Sequence, residues 1–309
     1  MDISIVTTMY YSAPYLDEFH QRVTASVKEI TNCYEIIFVN DGSPDDALAV
    51  AIRLHEKDQC VKIIDLSRNF GHHKAIMTGL THAQGDLAFL LDCDLEEAPE
   101  LLQDFYQTMM TSNADVVYGV QKHRKGHYFE RISGRMFYTL FNLLSNYPIP
   151  ENLITARLMR KRYVSSLIQH KDQEIFLAGL LAITGFKQEP IHVNKDSKGS
   201  SAYSLKKKLS LFANSITSFS NKPLIFISYL GLTISLISSF AALYLIIQRV
   251  FFGVFLTGWP SLIVSIWLLG GITIFCLGVI GIYLAKVFME TKERPYTIIR
   301  QIYAYEREK

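Results

Sequence analysis

With 309 residues, 49% of them hydrophobic, and a mean hydropathy of +0.16, the chain has room for a domain of about 200 residues plus a membrane module. The net charge of +2 excludes little by itself, but apolar residues concentrated in the last third argue against an ordinary enzyme of small soluble substrates. The four cysteines, at 33, 60, 93 and 276, have neither metal-site nor disulfide spacing and fit reduced packing residues.

Ile3-Ser4-Ile5-Val6 opens a short strand over 3–7, and together with Asp2 it argues against a cleavable leader. A turn at Tyr11-Ser12-Ala13-Pro14 leads to helical periodicity over 15–30. Glu35-Ile36-Ile37-Phe38-Val39 is the next strand and ends at Asn40-Asp41-Gly42-Ser43. A helix over 45–58, a strand over 61–66 and a helix over 72–83 follow. A strand over 86–91 then runs into Asp92-Cys93-Asp94, before a helix over 99–111 and a strand over 115–119. This alternation predicts a mostly parallel sheet covered by helices.

In such a sheet, ligands gather beyond the carboxyl ends of the strands. That rule puts Asn40-Asp41-Gly42-Ser43, Ser67-Arg68-Asn69 and Asp92-Cys93-Asp94 on one rim. There is no P-loop and no G-x-G-x-x-G fingerprint, so a glycine-rich phosphate nest is not expected. Asp92 and Asp94 are alternate residues after an apolar strand, and oxygen ligands suit Mg²⁺ or Mn²⁺ with a diphosphate completing the shell. Asp94 is the better direct ligand; Asp92 is placed for the ribose or a metal-bound water. Asp41 has two readings, a partner for a base N–H or a helix cap, with Ser43 the better cap. Glu96 and Glu97 either line a donor pocket or favour the first turn of the following helix. His72 and His73 have no partners at metal-ligand spacing and are read as hydrogen-bonding residues.

A basic group, Lys122, Arg124, Lys125, Arg131 and Arg135, follows the strand over 115–119. Arg131 and Arg135 are four apart and share a helix face within a periodic stretch over 129–144. Guanidinium groups suit bidentate phosphate recognition, although a solvated face has the same composition. Residues 203–222 have the pattern of a juxtamembrane surface helix. Two apolar stretches, 224–247 and 260–285, come next with Arg249 the one charge between them. As a helix, the first would rise about 36 Å, enough for a hydrocarbon core of roughly 30 Å. Lys206, Lys207, Lys208 and Lys222 precede the pair, and Lys286, Lys292 and Arg294 follow it, which puts both flanks on the cytoplasmic side. The short basic run, close to acids and a membrane anchor, is a poor match for nucleic acid.

These residues resemble the inverting family 2 glycosyltransferases, in the polyprenyl-phosphate branch that includes dolichol-phosphate mannose synthase and bactoprenol glucosyltransferases. The resemblance rests on Val39-Asn40-Asp41-Gly42-Ser43, Leu66 to His72, Gly85 to Glu100, Asp115 to Gly119, the basic segment, and Ser218-Phe219-Ser220 before Lys222-Pro223. It implies a GT-A fold: a catalytic domain over 1–202 with an acceptor-side segment over 120–145, a juxtamembrane helix over 203–222, a two-helix hairpin over 223–286 and a C-terminal tail over 287–309. It further implies a bacterial inner-membrane enzyme with both termini cytoplasmic, in a homo-tetramer. Asp41, Ser43, Arg68, Asp92, Asp94, Glu96 and Glu97 would meet the nucleotide sugar, with UDP favoured over GDP or dTDP. Asp94 and Asp92 would hold the metal, and Lys122, Arg124, Arg131 and Arg135 the acceptor phosphate.

Asp92, Asp94, Arg131 and Arg157 are the expected catalytic residues. Arg157-Leu158 matches the end of the family's Asp-Phe-Arg-Leu element, but Thr155-Ala156 replaces its acid and aromatic. Asn40 replaces the first of an acid pair, and Glu96-Glu97-Ala98 replaces a Gln-Asp-Pro run. A lipid phosphate is already ionised and needs no general base. If the acceptor is a hydroxyl of a lipid-linked glycan or membrane lipid, Glu96 or Glu97 is the candidate base. A non-catalytic membrane scaffold is the reading from a different class.

Overall fold

The computed structural model describes residues 1–121, 152–173, 175–193, 220–252 and 258–305, with Thr139, Asn142 and Thr217. The chain divides into two units: one holds the sheet and includes Arg294–Lys309, and the other holds both apolar helices.

The first unit is built on an eight-stranded sheet in the order β7-β5-β6-β4-β1-β2-β3-β8. The strands are β1 (Ile3–Met9), β2 (Tyr34–Asn40), β3 (Val61–Leu66), β4 (Leu87–Leu90), β5 (Val116–Gln121), β6 (Leu153–Arg160), β7 (Gln188–Val193) and β8 (Ile299–Tyr303). All point the same way except β6 and β8, which run against their neighbours. β1 and β2 are buried along their whole length, because helices cover both faces of a largely parallel sheet. Their run of Ile, Val and Phe is the composition that such a position demands.

The covering helices are α1 (Leu16–Lys28), α2 (Ala47–Lys57), α3 (His72–Thr81), α4 (Leu101–Ser112), α5 (Lys161–Leu167) and α6 (Leu177–Ile183). In α1, Leu16, Phe19, Val23 and Val27 recur at helical spacing and are all buried in the core. Phe19 meets Phe38 of β2 edge-on, their ring centroids 6.0 Å apart. α4 buries Leu102, Phe105 and Met109 and stops at Asn113, whose φ of 51° is the left-handed cap conformation. Gly79 lets α3 lie close to the sheet, since a Cβ there would come within 2.5 Å of Val6 Cγ1.

One expectation is corrected. Residues 287–309 are not simply a tail, because Ile299–Tyr303 form β8 and pair antiparallel with β3. Five residues beyond a charged stretch carry little periodic signal, and the partner strand lies more than two hundred residues earlier.

The second unit contains α7 (Lys222–Phe252) and α8 (Trp259–Glu290). Both are long and apolar enough to cross a membrane, over Lys222–Ala241 and Ser265–Glu290. Phe226, Ile237, Trp267 and Ile274 are exposed in the isolated chain, as expected of helices that are apolar all round. Tyr283 of α8 donates to the Ser220 carbonyl at 2.7 Å, just before α7. The expected juxtamembrane helix over 203–222 falls mostly outside the described residues.

Candidate active site

The carboxyl ends of β1 to β4 meet at one edge because these strands are mutually parallel. Asp92 and Asp94 stand just beyond β4. Between them and Glu96, Leu95 adopts a φ of +61°, a left-handed conformation that costs a leucine about 1 kcal/mol. That turn lets Asp94 Oδ1 accept the Glu96 N–H at 2.9 Å, which orients the carboxylate. His72 Nε2 lies 3.5 Å from Asp92 Oδ1, and its Nδ1 is 3.0 Å from Thr8 Oγ1. His72 therefore links the end of β1 to the acidic loop, and His73 Nδ1 donates to the Ile175 carbonyl at 3.0 Å. Burial pushes the His73 imidazole below its ordinary pKa.

Cys93 has no place among the candidate ligands. Burial pushes its thiol up to about 12, and Sγ donates to the Thr8 carbonyl at 3.0 Å. Among the described residues, no group of three or more His, Cys, Asp or Glu could hold a metal by itself. A magnesium-type ion is commonly held by only one or two carboxylates, with substrate phosphates and waters completing the shell, and carboxylates are the donor type that Asp92 and Asp94 supply.

Asp41 is only 2% exposed, and its oxygens accept the N–H groups of Phe70 and Gly71 at 2.7 and 3.0 Å. Burial is the main influence and raises its pKa, opposed by those two donors and by the nearby charges of His72 and Arg68. The residue thus holds the loop entering α3. Ser43 Oγ accepts the Tyr11 N–H at 2.8 Å, while Asp45, not Ser43, accepts the N–H of Ala47 at the start of α2. Tyr11 itself has a φ of +55°, and Tyr10 and Tyr11 are exposed aromatics packed edge-on at the same rim. These two and Thr8 were absent from the sequence-based site; a strand ending in paired aromatics was the available signal. Arg68 is exposed, donates to the Asn69 carbonyl at 2.9 Å and stacks over Phe70.

Glu96 and Glu97 separate clearly. Glu96 is half-buried, whereas Glu97 is 1% exposed and accepts the backbone N–H groups of Thr155 and Ala156 at 3.1 and 2.8 Å. Both Glu97 oxygens thus accept from the backbone of β6. Arg157 is buried beside it, with Nε and Nη2 donating to the carbonyls of Thr155 and Ile154 at 3.0 and 2.9 Å. Burial lowers its pKa, while Tyr163, Glu97 and Asp92 act in the opposite direction. Lys122, Arg124, Lys125, Arg131 and Arg135 lie outside the described residues. Their flanks do not: the Gln121 N–H donates to the Asn152 carbonyl at 3.0 Å, where β5 ends and β6 begins at the rim.

Asp41, Arg68, Asp92 and Asp94 of this rim lie within a stretch that matches a known family. The profile of Glycosyl transferase family 2 matches residues 4–168. The chain belongs to that family. A Mycobacterium tuberculosis (strain CDC 1551 / Oshkosh) protein grouped by name with the glycosyltransferases is 55% identical over 98% of this chain and 89% of its own. The uncharacterized glycosyltransferase YkcC of Bacillus subtilis (strain 168) is 37% identical over 98% of this chain and 94% of its own. The bactoprenol glucosyl transferase of Shigella phage SfV is 31% identical over 97% and 98%. Glucosyl-3-phosphoglycerate synthase from Mycobacterium tuberculosis, solved with phosphoglyceric acid, superposes with a TM-score of 0.50. That match covers 70% of this chain and 79% of the other at 15% identity, a likeness of fold alone. This family 2 protein is accordingly a glycosyltransferase, with a GT-A-like α/β domain and two apolar helices long enough to span a membrane.

Proposed function

We propose that this glycosyltransferase moves a sugar, with inversion, from a nucleoside-diphosphate sugar to polyprenyl phosphate at the cytoplasmic membrane face, for cell-envelope glycan or lipid modification. The observation that carries this reading is the shared rim. The Asp92–Asp94 loop and the hydrogen-bonded ends Gln121 and Asn152, which bracket the basic segment, belong to the same edge of the sheet. The two apolar helices and the relatives named as bactoprenol glucosyl transferases support a lipid acceptor.

Asp94, with Asp92, would hold a Mg²⁺ or Mn²⁺ ion, which when bound offsets charge on the departing nucleoside diphosphate. Arg124, Arg131 and Arg135, with Lys122, would hold the acceptor phosphate against the repulsion of the donor. The phosphate oxygen then attacks the anomeric carbon while the diphosphate leaves from the opposite face. Positioning and charge management carry such a reaction, because an ionised phosphate has no proton to lose. Both termini would then lie in the cytoplasm, and the chain would assemble as a homo-tetramer.

The test is to incubate detergent-purified protein with UDP-, GDP- and dTDP-sugars, undecaprenyl phosphate and Mn²⁺ or Mg²⁺, and to weigh the lipid product. A glycosyl-monophosphate lipid is expected. Activity confined to a lipid-linked glycan would overturn the phosphate acceptor and make Glu96 the base to test.

A further inference from the structure

Strand β8 follows both apolar helices in the chain, yet it forms an edge of the catalytic sheet. Its pairing is regular from Ile63↔Tyr303 to Asp65↔Gln301, then jumps to Leu66↔Ile299. Arg300 is left as an extra residue at that point. A bulge of this kind twists a strand and re-aims a side chain. Arg300 Nη1 lies 3.4 Å from Asp65 Oδ2, and Nη2 donates to the Ser67 carbonyl at 2.8 Å. The Ser67 N–H in turn donates to the Ile298 carbonyl at 2.9 Å.

Asp65 is 2% exposed and Asn40 3%, and Asn40 Nδ2 donates to Asp65 Oδ1 at 2.8 Å. The amide orientation this imposes leaves Asn40 Oδ1 to accept the Ser43 N–H at 3.1 Å. Ser43 Oγ then accepts from Tyr11, so one ion pair and three hydrogen bonds form a line from β8 across β3 and β2 to the end of β1. The second loop is locked to the first by contact. Gly42, at a φ of +61°, lies so near that a Cβ would meet Arg68 C and Asn69 N at 2.5 Å. Asn40, Ser43, Arg68, Asn69 and Arg300 line one groove of about 590 Å³.

We propose that Arg300 is a positioning residue for the nucleotide-sugar donor, acting through Asp65 and Asn40 on the loop 40–43 and through Ser67 on the loop 67–69. The proposal rests on the donor reading given above. A carboxylate buried as deeply as Asp65 needs its cation, and losing one partner of such a pair leaves the other to rearrange. Asn40 is then released from its fixed amide orientation, and the Ser43 N–H loses a defined acceptor. Lysine in place of Arg300 keeps the charge but lacks the planar fork that reaches Asp65 and Ser67 together.

The experiment compares full-length wild type, Arg300→Ala and Arg300→Lys, with Arg53→Ala, which breaks a surface pair with Asp17, as the control. Donor and acceptor are varied separately, and amide exchange is followed by mass spectrometry in the resting protein. For Arg300→Ala a donor KM raised about tenfold is expected with kcat within about twofold, the pattern of lost uniform binding. Arg300→Lys should recover part of that loss, and the acceptor KM should stay unchanged. Exchange should quicken in residues 40–43 and 67–71 while α4 is unaffected. An unchanged donor KM, an equal rise in the acceptor KM, or faster exchange throughout the sheet would each overturn the proposal. Wild type that turns over no nucleotide sugar defeats the donor reading itself, whereas active wild type matched by Arg300→Ala defeats only the role of Arg300.

Discussion

The Glu97 carboxylate accepts the backbone N–H of Ala156 at 2.8 Å, and its other oxygen takes that of Thr155. β4 ends at Leu90, opposite Arg157, while β6 extends farther in the direction of the rim. Glu97 thus takes the place of missing strand for one buried and one half-buried donor. Glu97→Ala is expected to lower stability by about 1–3 kcal/mol, the cost of an unmet buried group at Ala156, with a smaller share from the half-buried Thr155 N–H. Glu97→Gln keeps one acceptor oxygen and should lose less. Denaturant midpoints in detergent check both, and an Ala variant as stable as wild type would reject the clamp.

The Asn40–Asp65 bond explains why an amide suits position 40 in this chain. Asn40→Asp removes the donor and sets two buried carboxylates side by side. The variant should lose about 2 kcal/mol or more near neutral pH, because like charges in a shared site cannot both ionise cheaply. One carboxyl pKa is then raised in the folded state, so the deficit should shrink as pH falls through that value. Thermal melts of variant and wild type between pH 7 and 5 would show the convergence.

Asp94 is oriented by the Glu96 N–H and has no structural bond to another element that its removal would break among those described. Asp94→Ala should therefore retain the fold and membrane insertion while reducing divalent-dependent turnover by about 100-fold or more. Turnover measured across a Mn²⁺ titration checks this, and undiminished activity would remove Asp94 from the metal site.

Burial pushes the His73 imidazole below its ordinary pKa, and its Nδ1–H donates to the Ile175 carbonyl. Its folded pKa lies below the ordinary value, so the unfolded chain binds the extra proton first as pH falls. Its stabilising contribution is full above about pH 6.5 and declines as pH drops from there through the folded pKa. His73→Asn retains a side-chain N–H donor without that titration. Unfolding midpoints recorded from pH 7.5 to 5 should slope less in the variant, and identical slopes would exclude His73 as the source.

Arg131 illustrates a different kind of expectation, one that rests on composition and on where its flanking strands end. Arg131→Ala should raise the KM for lipid phosphate roughly tenfold with the donor KM unchanged, the size of a lost charge-assisted contact. Equal kinetics with undecaprenyl phosphate would rule the role out.

Local patterns in the chain were enough for the strand–helix alternation through Val117, the acidic turn at Asp92 to Asp94 and the two apolar helices. Each depends on neighbours within a turn or a strand: alternation and helical spacing set which face is buried, and length with lack of charge sets what can span a membrane. Glu96 and Glu97 were indistinguishable on those terms, since adjacent identical side chains have the same local chemistry. Only the antiparallel placement of β6 beside β4 decides that Glu97 is consumed by backbone donors. Asp41 likewise has two local readings, and the N–H groups of Phe70 and Gly71 give its carboxylate a structural role that neither contains. β8 is the extreme case, because Arg300 meets Ser67 across 233 positions of sequence. No periodicity encodes such a contact; it exists because the chain, after both apolar helices, returns to satisfy the open edge of β3.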